Sequence, residues 1–195
     1  MQNHCDMTDK QLARAAANGD RAAFDEIMNR YLRRITMYAA ARTNNIHDAE
    51  DIAQDTFLRL LQYIDTFDDK YPFHTWLFTI AYRVTISNYS KKRTVSLADV
   101  SVSDLISNQD ESPDNDWIWG AARKIGNESF TVLWLYYKEE MSTAQIAKVM
   151  NRTHVWVRVS LHRSRNKLAT ILKNAKADNS GQKWCVKKKV SVERI

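Results

Sequence analysis

Apolar residues recur at helical spacing along most of the chain, and capping residues divide that pattern into separate helices. Thr8 and Gln11 have the spacing of a capping box, which predicts a first helix that stops at Gly19. Asp20 is placed to cap a second helix that reaches about Thr43. One apolar stripe predicts the core-facing side of this second helix: Phe24, Ile27, Met28, Tyr31, Leu32, Ile35, Tyr38 and Ala39.

The segment DAEDIAQDTFLRLLQYI predicts a third helix that begins at Asp48, with acidic residues in its first turn where the helix dipole favours them. Its periodicity assigns five residues to the core: Ile52, Phe57, Leu60, Leu61 and Ile64. The opposite side faces solvent and carries Asp51, Gln54, Asp55, Leu58 and Arg59. Periodicity alone favours an ordinary solvated face here, and a protein-binding face is the alternative.

Residues 67–93 are rich in aromatic rings, and Pro72 is placed to open a helix within them. The seven rings belong to Phe67, Tyr71, Phe73, Trp76, Phe78, Tyr82 and Tyr89, and Arg83, Lys91, Lys92 and Arg93 add positive charge. Rings interleaved with cations suit an unstacked single strand of nucleic acid. Trp76, Leu77 and Ile80 are spaced as core, so most rings pack inside. Those left as plausible base contacts are Tyr71, Phe73, Tyr82 and Tyr89.

Residues 94–116 contain six acidic residues and no basic one, and we interpret them as a linker between two domains. This acidic strip is either a solubilising spacer or a segment that lies in a positively charged channel. Ser112 and Pro113 then predict a helix that ends near Gly126, and Asn127 predicts the cap of another. The inward residues of that second helix are expected to be Phe130, Leu133, Trp134 and Tyr137.

Residues 141–172 have the pattern of a helix-turn-helix. Ser142 with Gln145 caps a short helix, Asn151 tolerates the left-handed turn that follows, and Thr153 caps a second helix. Val157, Leu161, Leu168 and Leu172 form the core side of the second helix, which leaves His154, Trp156, Arg158, His162, Arg163 and Arg165 on the other. The stretch contains no acidic residue, so a DNA-reading helix is favoured over a solvated basic face.

Composition narrows the function classes further. The net charge of +6 and the pI near 9.3 favour an acidic partner such as nucleic acid, although charge alone does not exclude a membrane surface. No apolar run approaches the roughly 20 residues that span a bilayer, and we expect a cytoplasmic protein. Cys5 and Cys185 lie near opposite ends of the sequence, so neither a disulfide framework nor a cysteine metal cluster is expected. We also expect no other metal site and no cofactor. No catalytic constellation of residues indicates an enzyme.

Both halves together resemble the extracytoplasmic-function (group IV) sigma factors, bacterial subunits that direct RNA polymerase to promoters. The matching segments are DAEDIAQDTFLRL, IDTF and PFHTWLFTIAYRV in the first half, and EEMSTAQIAKVMNRTHVWVRVSLHRSRNKL in the second. The resemblance implies an all-α fold of two small helical domains joined by a flexible acidic linker. The expected parts are a region 2 domain (1–93), the linker (94–112), a region 4 domain with the helix-turn-helix (113–175), and a basic tail, expected to be disordered (176–195).

The resemblance also implies a role for each surface. The third helix would dock on the clamp helices of the polymerase's largest subunit through Asp51, Gln54, Asp55 and Leu58, with a further contact to the flap region. The melted −10 element would meet Phe67, Lys70, Tyr71, Phe73, Trp76, Tyr82, Arg83 and Ser87. The duplex −35 element would meet Ser142, Thr153, His154, Trp156, Arg158, Val159, His162, Arg163 and Lys167. An anti-sigma factor is a further candidate partner, and a free-standing helix-turn-helix regulator is the alternative function.

Several residues depart from the family's usual pattern. His154, Val155 and Trp156 stand where Val-Gly-Thr is common, and Ser160 stands where Arg is common. Arg152 replaces a usually apolar residue, and Arg83 replaces a frequent Asn. Because an arginine prefers guanine by roughly 1–3 kcal/mol, whereas Val159 and Trp156 would read thymine methyl groups or only DNA shape, the promoter sequence is not predicted.

Overall fold

The computed structural model describes residues 4–43, 45–96 and 116–178, and its regular elements over these ranges are all helical. The α-helices are α1 (Asp9–Ala17), α2 (Arg21–Thr43), α3 (Ile46–Tyr63), α4 (Phe73–Ser96), α5 (Asp116–Arg123), α6 (Asn127–Tyr137), α7 (Thr143–Met150) and α8 (His154–Asp178). Short 3-10 turns occupy His4–Asp6 and Ile64–Thr66. The all-α prediction is confirmed. The linker beyond residue 96, the predicted helix start at 112–113 and the tail beyond 178 lie outside the described residues.

Helices α1 to α4 form an N-terminal unit, residues 4–96, whose first two helices begin where the capping residues predict. The Thr8 hydroxyl and the Gln11 side chain form the reciprocal capping box of α1. The Asp20 carboxylate accepts a hydrogen bond from the Ala23 backbone N–H at 3.1 Å and so caps α2. Leu32 is exposed, and its assignment to the core is wrong, because it lies at the edge of the α2 stripe, about 90° from the stripe's centre.

Helix α3 begins two residues earlier than predicted. Its cap is Asn45, whose side-chain oxygen accepts hydrogen bonds from the backbone N–H groups of His47 (2.9 Å) and Asp48 (3.4 Å). The assignment of Leu61 to the core is also wrong, because Leu61 is exposed on the same side of α3 as Leu58. The exposed side of α3 therefore carries two leucines.

Helices α5 to α8 form a C-terminal unit, residues 116–178, with an aromatic centre. Trp119 packs against Trp134 with ring centroids 4.7 Å apart, and Phe130 stacks on Trp134 at 5.7 Å. The expected cap of α6 at Asn127 is wrong, because Gly126 is the capping residue, with a φ of 114° that favours glycine. Tyr137 is exposed at the last position of α6, so its assignment to the core is wrong as well.

The helix-turn-helix has the predicted geometry. Ser142 and Gln145 form a capping box at α7, and Asn151 has left-handed backbone angles of 51° and 52°. The Thr153 hydroxyl then accepts a hydrogen bond from the Trp156 backbone N–H at 3.1 Å. Val157 is buried, which fixes the start of α8 against α6 and α7.

One apolar core runs through both units. Tyr38 of α2 lies between Phe78 of α4 and Trp134 of α6, at centroid distances of 6.0 and 6.2 Å. Helix α7 packs beside α4. Among the described helices, none has the length and apolar character that a membrane crossing needs.

We predict that Asn151→Val lowers the free energy of unfolding by about 1–2 kcal/mol, because a β-branched side chain is strained in left-handed backbone. Asn151→Gly is the matched control and should leave stability nearly unchanged, since glycine adopts this conformation freely. Urea unfolding of the full chain measures both values. Equal losses in the two variants would contradict a role for the turn conformation.

Candidate nucleic-acid interface

The outward side of α8 combines positive charge with two exposed valines. Val155, Arg158, Val159, His162 and Arg163 follow one another at helical spacing and line a shallow surface depression. Val155 is 70% exposed and Val159 is 42% exposed, so both apolar side chains are accessible on this side of the helix. Neither arginine forms an ion pair within the described part of the chain, so both guanidinium groups are available to phosphate or base edges.

The remaining predicted −35 residues support the turn or border this side. Ser142, Thr153, His154 and Lys167 are exposed, and the His154 ring lies 2.6 Å from the Thr143 hydroxyl. Trp156 departs from expectation, because it is half-buried against the core. The Arg152 guanidinium lies 5.3 Å from its ring centroid and pairs with Glu128 at 2.7 Å. Val155, which the sequence analysis named only as a departure from the family's usual pattern, was not among the predicted −35 residues but lies on the same side of α8.

The exposed side of α3 brings acidic, amide and apolar groups together. All four predicted polymerase-binding residues, Asp51, Gln54, Asp55 and Leu58, are exposed, and Leu58 is 63% exposed. Leu61, one turn further along, extends the apolar part of the surface. Two neighbouring exposed leucines bordered by acids favour a protein-binding face over a merely solvated one.

The structure divides the predicted −10 residues by exposure. Lys70, Tyr71 and Arg83 are exposed; Phe67, Trp76 and Ser87 are half-buried; Phe73 and Tyr82 are buried. Phe73 is only 2% exposed, because its ring packs edge-on against Tyr31 (5.7 Å) and Phe67 (5.3 Å) at the start of α4. The expectation that Phe73 and Tyr82 present free ring faces is therefore wrong for this structure. The side chain of Tyr89 lies outside the description.

The C-terminal unit contacts part of this segment. The Lys148 ammonium of α7 lies over the Tyr71 ring, and the Gln145 side-chain nitrogen is 3.5 Å from the His74 ring nitrogen. Burial lowers the pKa of His74, and the nearby Arg34 charge acts in the same direction while Asp9 opposes it. Burial raises the pKa of Tyr82, and the negative charge of Glu128 in α6 raises that pKa further.

A two-pronged ion pair joins the two units. Arg34 Nε and Nη2 both donate to Glu139 Oε2, at 3.0 and 2.6 Å, and the Glu139 side chain is only 4% exposed. The Arg34 guanidinium lies 5.0 Å from the Tyr31 ring centroid, which helps to orient it. Trp134 Nε1 donates to the other Glu139 oxygen at 3.3 Å. Burial raises the pKa of Glu139 despite the opposing effect of Arg34, so desolvation is the larger influence.

Arg42 is a second charged residue at this contact. Its Nη1 donates to the Asn127 carbonyl and, at 2.9 Å, to the Thr131 hydroxyl of α6. Its Nε is buried without a hydrogen-bond partner, and Arg42 forms no ion pair with any residue that the structure describes. No group of three or more potential metal ligands occurs within the same residues.

The chain is similar to sigma factors in sequence and in structure. The model of the Sigma-70 region 2 family matches residues 27–95. The ECF RNA polymerase sigma factor SigW of Bacillus subtilis is 29% identical over 185 residues, which cover 87% of this chain and 99% of that protein. The RNA polymerase sigma factor CnrH of Cupriavidus metallidurans is 26% identical over 181 residues, or 84% of this chain and 94% of that one.

Solved structures agree with the sequence comparison. CnrH in complex with the cytosolic domain of CnrY has a TM-score of 0.67 at 25% identity, covering 85% of this chain and 97% of that one. The sigma factor RpoE, in complex with the anti-sigma factor NepR from Bartonella quintana, has a TM-score of 0.65 over 77% of this chain and 96% of that one. At 21% identity, this second likeness concerns the fold alone.

Proposed function

Because this chain belongs to the extracytoplasmic-function RNA polymerase sigma factors, we propose that its two helical units each perform one part of promoter recognition. Its function is that of a sigma subunit, which gives RNA polymerase promoter specificity in transcription initiation. One observation supports separate roles for the two units. The basic side of α8, whose arginines form no ion pair with the described residues, belongs to the helix-turn-helix of the C-terminal unit, whereas the aromatic segment belongs to the N-terminal unit. We further propose that the chain carries out no catalysis of its own and acts in the cytoplasm.

The C-terminal unit would read the −35 element as duplex DNA. A helix-turn-helix places its second helix in the major groove, with the residues near the start of that helix at the base edges. Arg158, His162 and Arg163 would meet bases and adjacent phosphates. Ser142 and Thr153 would lie at the phosphates, since each caps a helix through its oxygen and keeps its hydroxyl hydrogen for a further bond.

The N-terminal unit would hold the −10 element as a melted strand. The exposed Tyr71 ring is the candidate stacking surface, and Lys70 and Arg83 supply charge for the strand's backbone. Each stacked base contributes on the order of 1–3 kcal/mol, which offsets the cost of unstacking it from the duplex. Phe73 and Tyr82 would act indirectly, by fixing the position of α4.

The acidic side of α3 would dock on the clamp helices of the polymerase's largest subunit. Leu58 and Leu61 would form the apolar centre of the contact, and Asp51, Gln54 and Asp55 its polar rim. We propose the flap region as the partner of the C-terminal unit. Because the solved structure of CnrH is a complex with the cytosolic domain of CnrY, we also propose that this chain has a protein partner of that kind, an anti-sigma factor.

The two exposed valines would add a contact with thymine. Every thymine projects a C5-methyl group into the major groove, where apolar side chains contact it. Val155 and Val159 lie one turn apart and flank Arg158, so a methyl contact and a guanine contact fall on the same stretch of groove. We propose that the −35 element contains a guanine with thymines next to it in the sequence.

We predict that run-off transcription by core polymerase requires this chain, and that Arg158→Ala or Arg163→Ala lowers promoter use about 5- to 150-fold, as expected for a lost base or phosphate contact of roughly 1–3 kcal/mol. Affinity for core polymerase should not change, since it depends on other surfaces. Lys124→Ala, which removes an exposed cation outside the helix-turn-helix, is the matched control. Tight duplex binding without any promoter-dependent transcript would instead indicate a free-standing regulator.

We predict that the double charge reversal Asp51→Lys and Asp55→Lys weakens core binding at least about tenfold, because like charges at an interface rim slow association and disfavour the complex. The affinity of the labelled protein for core polymerase is the measurement. The double variant Asp6→Lys/Asp25→Lys, which reverses two exposed acids outside α3, controls for the same change in net charge. Unchanged affinity after the reversal at 51 and 55 would show that this surface is only solvated.

We predict that replacing −35 thymine by deoxyuridine in a mapped promoter weakens binding about fourfold per lost methyl contact, or ~0.8 kcal/mol. Val155→Ala or Val159→Ala should remove that discrimination, whereas Arg158→Ala should keep it. Deoxyuridine placed between the two elements controls for changes in the DNA itself. If the wild type and both valine variants distinguish thymine from deoxyuridine equally well, the valines do not contact the thymine methyl groups.

A further inference from the structure

Two histidines and an arginine form a row along α8. His154, Arg158 and His162 are spaced four residues apart, so each lies about one helical turn, or ~6 Å, from the next. All three side chains are exposed. Histidine is the residue whose charge ordinarily changes between pH 5 and 8. The row therefore combines one permanent cation with two side chains that gain charge by protonation.

The contact between His154 and Thr143 limits the hydrogen-bond donors at the start of this row. His154 Nε2 lies 2.6 Å from Thr143 Oγ1, which joins the first residue of α8 to the first residue of α7. A neutral imidazole has one ring N–H. Either Thr143 donates to Nε2 and only the Nδ1–H is left for DNA, or Nε2 donates to Thr143 and only the hydroxyl hydrogen is left. A protonated imidazole donates from both nitrogens, so the pair then offers two donors and a positive charge.

His162 gains a donor in the same way at the other end of the row. Its side chain forms no hydrogen bond or ion pair with the residues that the structure describes, and it borders the shallow depression beside Arg158. A neutral imidazole presents one donor and one acceptor, whereas the protonated ring presents two donors. Phosphate oxygens and the N7 and O6 atoms of guanine are all acceptors, so the protonated ring matches duplex DNA better.

No carboxylate in the described part of the chain pairs with this row. Residues 141–172 contain no acidic residue, and Arg163 and Lys167 add positive charge on α8. Helices α5, α6 and α7 pack against α8, and their described charged groups are engaged elsewhere. Arg123 of α5 donates to the Ala41 carbonyl, Glu128 of α6 pairs with Arg152, Tyr136 and Tyr137 of α6 hold the Arg165 guanidinium, and Lys148 of α7 lies over the Tyr71 ring.

Bound phosphate would favour protonation of both histidines. In the free protein, an imidazolium at position 154 or 162 lies one turn from Arg158, and like charges at this spacing repel each other. At position 154 the positive end of the α8 dipole adds to that repulsion. Phosphates beside the row would offset both effects. Protonation and DNA binding therefore favour each other, since a coupling between two binding events is reciprocal.

We propose that His154 and His162 are proton-dependent DNA-binding residues, which take up protons as the −35 duplex binds, so that affinity for the duplex rises as the pH falls. This role rests on the proposed placement of α8 in the major groove. The change in affinity is confined to about pH 5–8, because histidines are neutral above this range and protonated in both free and bound protein below it.

The test measures the affinity of the full chain for a mixed-sequence duplex of about 30 base pairs at constant salt, by fluorescence anisotropy, because phosphate contacts do not depend on sequence. The wild type should bind at least about tenfold more tightly at pH 6 than at pH 8, since each proton taken up changes the affinity by up to about tenfold per pH unit. The slope of log affinity against log salt concentration should also be steeper at pH 6, by up to ~0.9 for each added phosphate contact.

The double variant His154→Gln/His162→Gln should reduce the ratio of the two affinities to within about twofold, because glutamine does not take up a proton. Thr143→Val should reduce the ratio about as much as His154→Gln alone, since it removes the hydroxyl that a protonated His154 releases. His47→Gln, which replaces an exposed histidine on α3, is the matched control and should keep the full ratio. Far-UV circular dichroism at both pH values checks that each variant is folded.

Proton uptake is also measurable without any substitution. Calorimetric titration of the wild type near pH 6.5, in buffers of different ionisation enthalpy, should show uptake of about one proton or more per duplex bound. No uptake, or a pH dependence that persists in the double histidine variant, would overturn the proposal. Proton-linked duplex binding by a protein that supports no promoter-dependent transcript would instead support the histidine role and refute the sigma function.

Discussion

Tyr38 occupies the point where the cores of the two helical units meet. Its ring packs against Phe78 on one side and Trp134 on the other, and its hydroxyl lies 3.4 Å from that of Thr131. Helix α2 therefore contributes to the core of both units. The candidate −10 segment is attached to α2 through α4, and the helix-turn-helix is held near α2 through α6. Tyr38 thus helps to hold both candidate surfaces in their present positions.

The sequence predicted the parts of the fold that depend on neighbouring residues. Capping boxes at Thr8 and Ser142 and the left-handed turn at Asn151 involve hydrogen bonds within four residues, so the local pattern contains all the necessary information. Two of the errors lie where an apolar residue falls at the edge of a stripe. Leu32 and Leu61 fit a helical repeat, but burial also depends on which helix lies opposite.

The candidate site was predictable to a different extent on each surface. Most of the basic side of α8 followed from spacing, but the exposure of Val155 did not, because the identity of a valine does not indicate whether it is buried. Phe73 was expected to contact a base but is buried, because an aromatic residue beside a turn is equally compatible with base stacking and with packing in the core. The Arg34–Glu139 contact joins residues 105 positions apart and leaves no local signal. Only the packing of complete helices reveals it.

The buried cation at Arg42 has a consequence for how the contact between α2 and α6 tolerates substitution. Its Nη1 donates to the Asn127 carbonyl and the Thr131 hydroxyl, whereas its Nε is buried without a hydrogen-bond partner. A neutral side chain at position 42 would remove the cost of burying a charge together with these two hydrogen bonds. The change in the free energy of unfolding would therefore be the difference between two opposing effects, so that position 42 would tolerate replacement better than its burial suggests.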